Sequence, residues 1–271
     1  MRYYASCMGQ TRSDSQPALP AALCVLLALA GATLMVLTQL ALRLPLRVSL
    51  LVAEAALLLP AVVLLIFNGA SLRRGLGLVR VDPKTAFLSI GAGITLWLTG
   101  LGILELQYLF WKPDPAYLEA FRRLFEHLRP GGPFDALGAI AVVALGPAFF
   151  EESLCRGLIL PSFAGSSRFK SAVAASALVF ALLHLDIYRS LFAFAVGVGF
   201  GALRLRAGST WAAFLAHATL NTLTYSVALA VNDPEANLIP PHASVALAFL
   251  ALGSLGSLWM ILRIEPPETR R

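Results

Sequence analysis

The chain has 271 residues, 58% of them hydrophobic and only 13% charged, where a soluble domain carries about 25% charged residues. That composition excludes an ordinary soluble domain and points to an integral membrane protein. The net charge of +6 does not point to nucleic acid, because the lysines and arginines fall at the ends of apolar runs and form no basic patch interleaved with aromatics.

Several apolar runs reach the length of about 20 residues that a helix needs to cross a bilayer core. The first is expected from about Ala18 to Leu42, the second from Leu46 to Phe67 and the third from Thr85 to Gln107. The first is too long for a signal peptide and has no clear small-residue cleavage site, so it reads as a retained helix. Pro60 falls inside the second run, where a membrane helix tolerates it with a kink. The next stretch, PAYLEAFRRLFEHL, is different. Tyr117, Leu118, Phe121, Leu124, Phe125 and Leu128 share a broad face, with most of the charge elsewhere, the pattern of an amphipathic helix. It stops at RPGGP, a strong breaker, and reads as a helix lying on the membrane surface.

Five further runs follow: Phe134 to Phe163, Phe169 to Leu185, Tyr188 to Leu205, Ser209 to Val231 and Ala243 to Leu262. No long segment alternates polar and apolar residues, which excludes an outer-membrane barrel. The expected fold is all-α: a polytopic helical bundle of about eight transmembrane helices and one amphipathic surface helix. The chain reads as a single membrane domain, 1–271. With the N-terminus inside, the cytoplasmic side collects the larger share of the 21 lysines and arginines, among them Arg73, Arg74, Arg80, Lys84, Arg204 and Arg206. The expected topology is therefore N-in and C-in. The acidic loop NDPEANLIPPHA has no Lys or Arg and is expected outside. Cys7, Cys24 and Cys155 form no CxxC pair, so neither a disulfide framework nor a zinc ribbon is indicated.

Ionisable groups inside a membrane are costly and carry a functional expectation by default. Here they crowd into the second half. Glu151 and Glu152 lie in the fourth span, His184 ends the fifth, and His217 and Asn221 share a face of the seventh, four residues apart. A carboxylate beside an imidazole can take a proton from water, and a carboxamide or imidazolium can stabilise an oxyanion. Glu152 and Arg156 are also four apart and can form a structural ion pair. Glu151 lies about 100° around the helix from Glu152, so that pairing does not account for it. Either histidine alone reads more readily as an interhelical hydrogen-bond donor; the co-occurrence of all three kinds of group reverses this and favours chemistry. Glu54, in the second span, is expected to have an interhelical partner. Gly197 and Gly201 form a small-residue face for close helix approach.

EESLCR fits EExxxR, FALLH fits FxxxH and HATLN fits HxxxN, in this order and each on its own span. Together these resemble the signature of the CAAX prenyl protease and bacteriocin-processing family, also called ABI-type or glutamic-type intramembrane proteases, over about residues 134 to 231. The resemblance implies that Glu151 activates water with the aid of His184, and that His217 and Asn221 serve the oxyanion. It implies support from Glu152 and Arg156, and a site wall at Phe180. Glu151, His184 and His217 are also an acceptable zinc set, although a glutamate-and-water scheme needs no metal; the sequence leaves the metal open.

The expectation is an intramembrane endopeptidase acting near the membrane-anchored C-terminal tail of a protein or peptide substrate. The composition, rich in Ala, Leu and Arg and poor in Lys, suggests a bacterial inner membrane. The resemblance implies, through bacterial members that remove C-terminal sorting tails, an exported protein whose tail is cut, in keeping with His184 lying toward the outer end of its span. The competing readings are a CAAX-type prenyl-protein endopeptidase and a non-enzymatic immunity or scaffold protein. A transporter is disfavoured because the polar groups are not repeated in both halves.

Overall fold

The structure, a computed structural model, describes residues 19–164, 169–231 and 242–267. The polar N-terminal stretch with Cys7, and residues 232–241 of the acidic loop, lie outside these. Among the described residues the chain is helical and holds no strand, which is the all-α membrane bundle the sequence implies.

Ten helices follow in order: α1 Ala21–Ala41, α2 Leu46–Phe67, the short α3 Leu72–Gly75, α4 Pro83–Phe110, α5 Pro115–Leu128, α6 Pro133–Ala164, α7 Phe169–Leu183, α8 Ile187–Ala207, α9 Thr210–Val231 and α10 Ala243–Arg263. The eight expected spans meet helices whose ends differ by three residues or fewer. Six of them (α1, α2, α4, α6, α8 and α10) are long and apolar enough to cross a membrane. The 15-residue α7 is shorter than a crossing requires, and α9 carries His217, Asn221 and four threonines within its 22 residues.

The helix ends follow local chemistry. Asp82 accepts from Thr85 N at 2.9 Å to start α4, with Pro83 in the first turn. Asp114 does the same for α5 through Ala116 N at 2.7 Å. Asp186 accepts from Tyr188 N at 2.9 Å and Arg189 N at 3.2 Å to start α8. Packing is close where side chains are absent. A side chain on Gly253 of α10 would run into the backbone of Thr95 and Thr99 on α4, so these two helices meet backbone to backbone. The motif-bearing middle of α6 is held between α2 and α9, and α8 packs against α4, α7 and α9.

Two stretches of α6 are wound wider than an α-helix, at residues 141–145 and 153–159. Gly146 N–H reaches the Ala141 carbonyl five residues back, and Leu160 N–H reaches that of Cys155. Pro147 follows the first of these stretches and has no N–H to continue a regular ladder. Wide turns of this kind collect at functional sites, and here they bracket Glu151 and Glu152.

The amphipathic helix α5 forms over Pro115–Leu128, the segment expected to be a surface helix. Its Phe121, Leu124, Phe125 and Leu128 are turned onto the bundle and roof an internal cavity. It is tied down at both ends. Tyr117 Oη donates to Asp186 Oδ2 at 2.6 Å. At the other end the Leu128 carbonyl accepts from Tyr225 Oη at 2.7 Å and from Arg47 Nη2 at 3.2 Å. An apolar face signals burial without saying what buries it; here four of its residues line the cavity.

Candidate active site

Beneath α5 lies a cavity of about 290 Å³, near the lower end of the range of roughly 300–1,000 Å³ typical of ligand sites. Its walls include Glu151 from α6, His184 from the end of α7, and His217 and Asn221 from α9. The four expected catalytic residues therefore meet in one space, although they come from three helices.

Glu152 points away from that space. It is fully buried, and its Oε1 accepts from Arg156 Nη1 at 3.1 Å and from His217 Nδ1 at 3.0 Å. Arg156, also fully buried, donates through Nη2 to the Gly197 carbonyl at 2.7 Å. Its guanidinium lies over Phe180, 4.5 Å from the ring centroid, a cation–π contact. A side chain on Gly197 would come within 3.1 Å of that guanidinium, so the small-residue face of α8 serves Arg156 as well as α7. The ion pair is the one its spacing implies. Its tie to His217 was not legible, because nothing in the sequence indicates which face α9 turns toward α6.

Both histidines present the same nitrogen to the cavity. A carboxylate or carbonyl oxygen only accepts, so His217 carries its proton on Nδ1, toward Glu152. Its Nε2 is 3.9 Å from Glu151 Oε2. His184 Nδ1 faces the Phe180 carbonyl at 2.9 Å, which fixes the same tautomer and leaves Nε2 as the free base. Phe180 sits edge-on to both imidazoles, with ring centroids 4.8 Å from His184 and 5.6 Å from His217. His217 stacks on Phe200 at 4.8 Å. Phe180 is 2% exposed and forms the site wall as expected. Immediately after His184, Leu185 has φ 51°, a left-handed conformation rarely adopted by a bulky residue. This turn stops α7 with His184 at its end.

Three wall residues were not anticipated. Glu54 of α2, expected to have an interhelical partner, instead lines the cavity, and its Oε2 is buried without a hydrogen-bond partner among the described residues. Leu50, Glu54 and Leu57, all lining residues, recur at helical spacing, a signal that one face of α2 is shared by the cavity. Arg189, five residues beyond His184, lies over the Phe121 ring of α5 at 5.4 Å. Tyr225 packs on Phe125 with ring centroids 6.2 Å apart. On α5, which is not one of the helices long and apolar enough to cross a membrane, hydrogen bonds from Arg122 and Arg123 hold the Glu119 carboxyl down at about 2. Burial and the neighbouring Asp186 carboxylate push the Tyr117 phenol up.

Glu151, His184 and His217 have acceptable donor atoms for zinc, yet among the described residues no three His, Cys, Asp or Glu side chains stand close enough together to hold a metal ion. As arranged, they line a cavity without forming a coordination sphere.

Residues 133–223 match a family model described as Type II CAAX prenyl endopeptidase Rce1-like. The match supports the resemblance of this region to the CAAX prenyl protease and bacteriocin-processing family. The Rce1-like match covers about a third of the chain and contains Glu151, Glu152, Arg156, Phe180, His184, His217 and Asn221. No curated protein and no solved structure gives a significant match. Similarity to an Rce1-like family, together with the apolar helices, supports a membrane protease.

Proposed function

We propose that the chain is an intramembrane endopeptidase that hydrolyses a peptide bond near the membrane-anchored C-terminal tail of a protein substrate. The observation that carries this reading is the gathering of Glu151, His184, His217 and Asn221 around one cavity, with Nε2 the free ring nitrogen of both imidazoles. Glu151 and His184 Nε2 are two acceptors for the two hydrogens of a water molecule. They orient it, and Glu151 takes one proton as the water oxygen attacks the carbonyl carbon. Asn221 offers a carboxamide N–H to the oxygen that becomes negative. His217, held at Nδ1 by Glu152, keeps a fixed orientation with Nε2 beside Glu151, in the manner of a carboxylate-oriented imidazole. No step requires a metal.

The substrate is an extended, flexible tail rather than a helix interior, because a peptide bond within a helix does not expose its carbonyl to attack. A sorting tail of an exported bacterial protein fits this reading. A second reading, a lipidated CAAX-type tail, is favoured by the description of the matched family.

The test is Glu151→Gln and His184→Ala in the native host, with the C-termini of surface proteins read by mass spectrometry. Both variants are expected to leave tails uncut, with a loss on the order of 100-fold or more for a missing general base. Normal processing in both variants overturns the proposal. Purified protein given matched farnesylated and unlipidated tail peptides separates the two substrate readings.

A further inference from the structure

Glu54 is the cavity group that the mechanism above leaves unused. It comes from α2, outside the family-matched region, and α2 packs directly against the α6 segment that bears Glu151. Both carboxylates line the same cavity, and each has a buried Oε2 with no hydrogen-bond partner among the described residues.

Among the described residues no cation is hydrogen-bonded to either Oε2. Arg156 is engaged by Glu152 and the Gly197 carbonyl. Arg189 lies over Phe121. The remaining titratable groups of the cavity wall are His184, His217 and Tyr225, while α1 and α5 contribute only apolar side chains to it. Two like charges facing one apolar-walled space cannot both persist, and such pairs share a proton.

We propose that Glu54 is the proton-donating partner of Glu151 in peptide hydrolysis, a second catalytic carboxyl supplied by the first half of the chain. This rests on Glu151 being the general base. Glu151 sits beside His217 Nε2, whereas Glu54 is flanked on its own helix face by Leu50 and Leu57, so Glu54 holds the shared proton. Water attacks the carbonyl carbon and gives one proton to the Glu151 carboxylate. The tetrahedral adduct collapses, the C–N bond breaks, and Glu54 gives its proton to the departing nitrogen. The proton on Glu151 then passes to the Glu54 carboxylate, which restores the starting pair. Every proton and electron pair is accounted for without a co-reactant.

The experiment uses the full chain in nanodiscs, with a quenched fluorogenic peptide bearing a C-terminal transmembrane tail as the probe. Glu54→Gln keeps the shape and neutrality of the protonated acid but has no proton to give. Its kcat is expected to fall by about 100-fold with KM held, and the alkaline limb of the kcat–pH profile should disappear. Glu54→Asp should restore part of the rate. Infrared spectroscopy without substrate should show a protonated-carboxyl band at neutral pH in the wild type that Glu54→Gln lacks. An unchanged band overturns the proposal, as does a wild-type rate and pH profile in Glu54→Gln. A KM increase confined to peptides with Lys or Arg, with kcat kept, would make Glu54 a substrate-binding group and also overturn it. Should Glu151→Gln remain active, the hydrolytic reading itself fails. A silent Glu151→Gln beside a normal Glu54→Gln removes only the role of Glu54.

Discussion

Arg156 illustrates how much one buried side chain can hold together. Its two terminal nitrogens reach Glu152 on its own helix and Gly197 on α8, and its flat face rests on Phe180. Replacing it by Met leaves the Glu152 charge buried without its cation, a change that costs about 3–5 kcal/mol. Arg156→Met should lower the midpoint of thermal unfolding in detergent. Arg156→Lys should rescue it poorly, since an ammonium cannot span both acceptors or stack on the ring. Full rescue by Lys would mean that charge alone matters. The Glu152–Arg156 pairing was legible from its i,i+4 spacing, and the identities of the catalytic candidates from the cost of polar groups in lipid. The unpartnered state of Glu54 was not legible, because a partner is a property of neighbouring helices that no local pattern records.

At the scale of elements, α5 converts an open groove into a roofed cavity. Its attachment at the N-terminal end is the Tyr117–Asp186 hydrogen bond, backed by a tilted ring contact of Tyr117 with Tyr188 at 4.9 Å. Tyr117→Phe keeps the rings and removes the bond, at a cost of about 1 kcal/mol. Amide exchange across residues 115–128 should quicken in this variant while α4 and α10 stay unchanged. Equal protection in the two proteins would show that the bond does not restrain the roof. The amphipathic face of α5 was legible at the level of individual residues. Its covering was not, since hydrophobic periodicity gives the width of an apolar stripe and is silent on whether lipid or protein meets it. The wide turns of α6 were equally silent beforehand, because they depend on how α2 and α9 clasp that helix.

For the whole molecule, the spans were legible to within three residues because continuous apolar runs are forced by bilayer thickness. The roof, the His184 turn and the ends of α5 share one end of the bundle with Arg47. We propose that this end faces the outside of a bacterial inner membrane, following the excess of basic residues at the opposite end. Ile187, 67% exposed beside the His184 turn, reports on it. Ile187→Cys in intact cells should react with a membrane-impermeant maleimide, and protection until the cells are opened would reverse the orientation. A last consequence follows from Glu152 Oε1, the single atom that receives both Arg156 and His217. On the proposed mechanism, durability and turnover hang on the same oxygen, so natural selection cannot tune them separately there. Lineages of this protein adapting to heat or cold should therefore vary at the lipid-facing shell and along α1 and α10, and leave the Glu152 neighbourhood almost frozen.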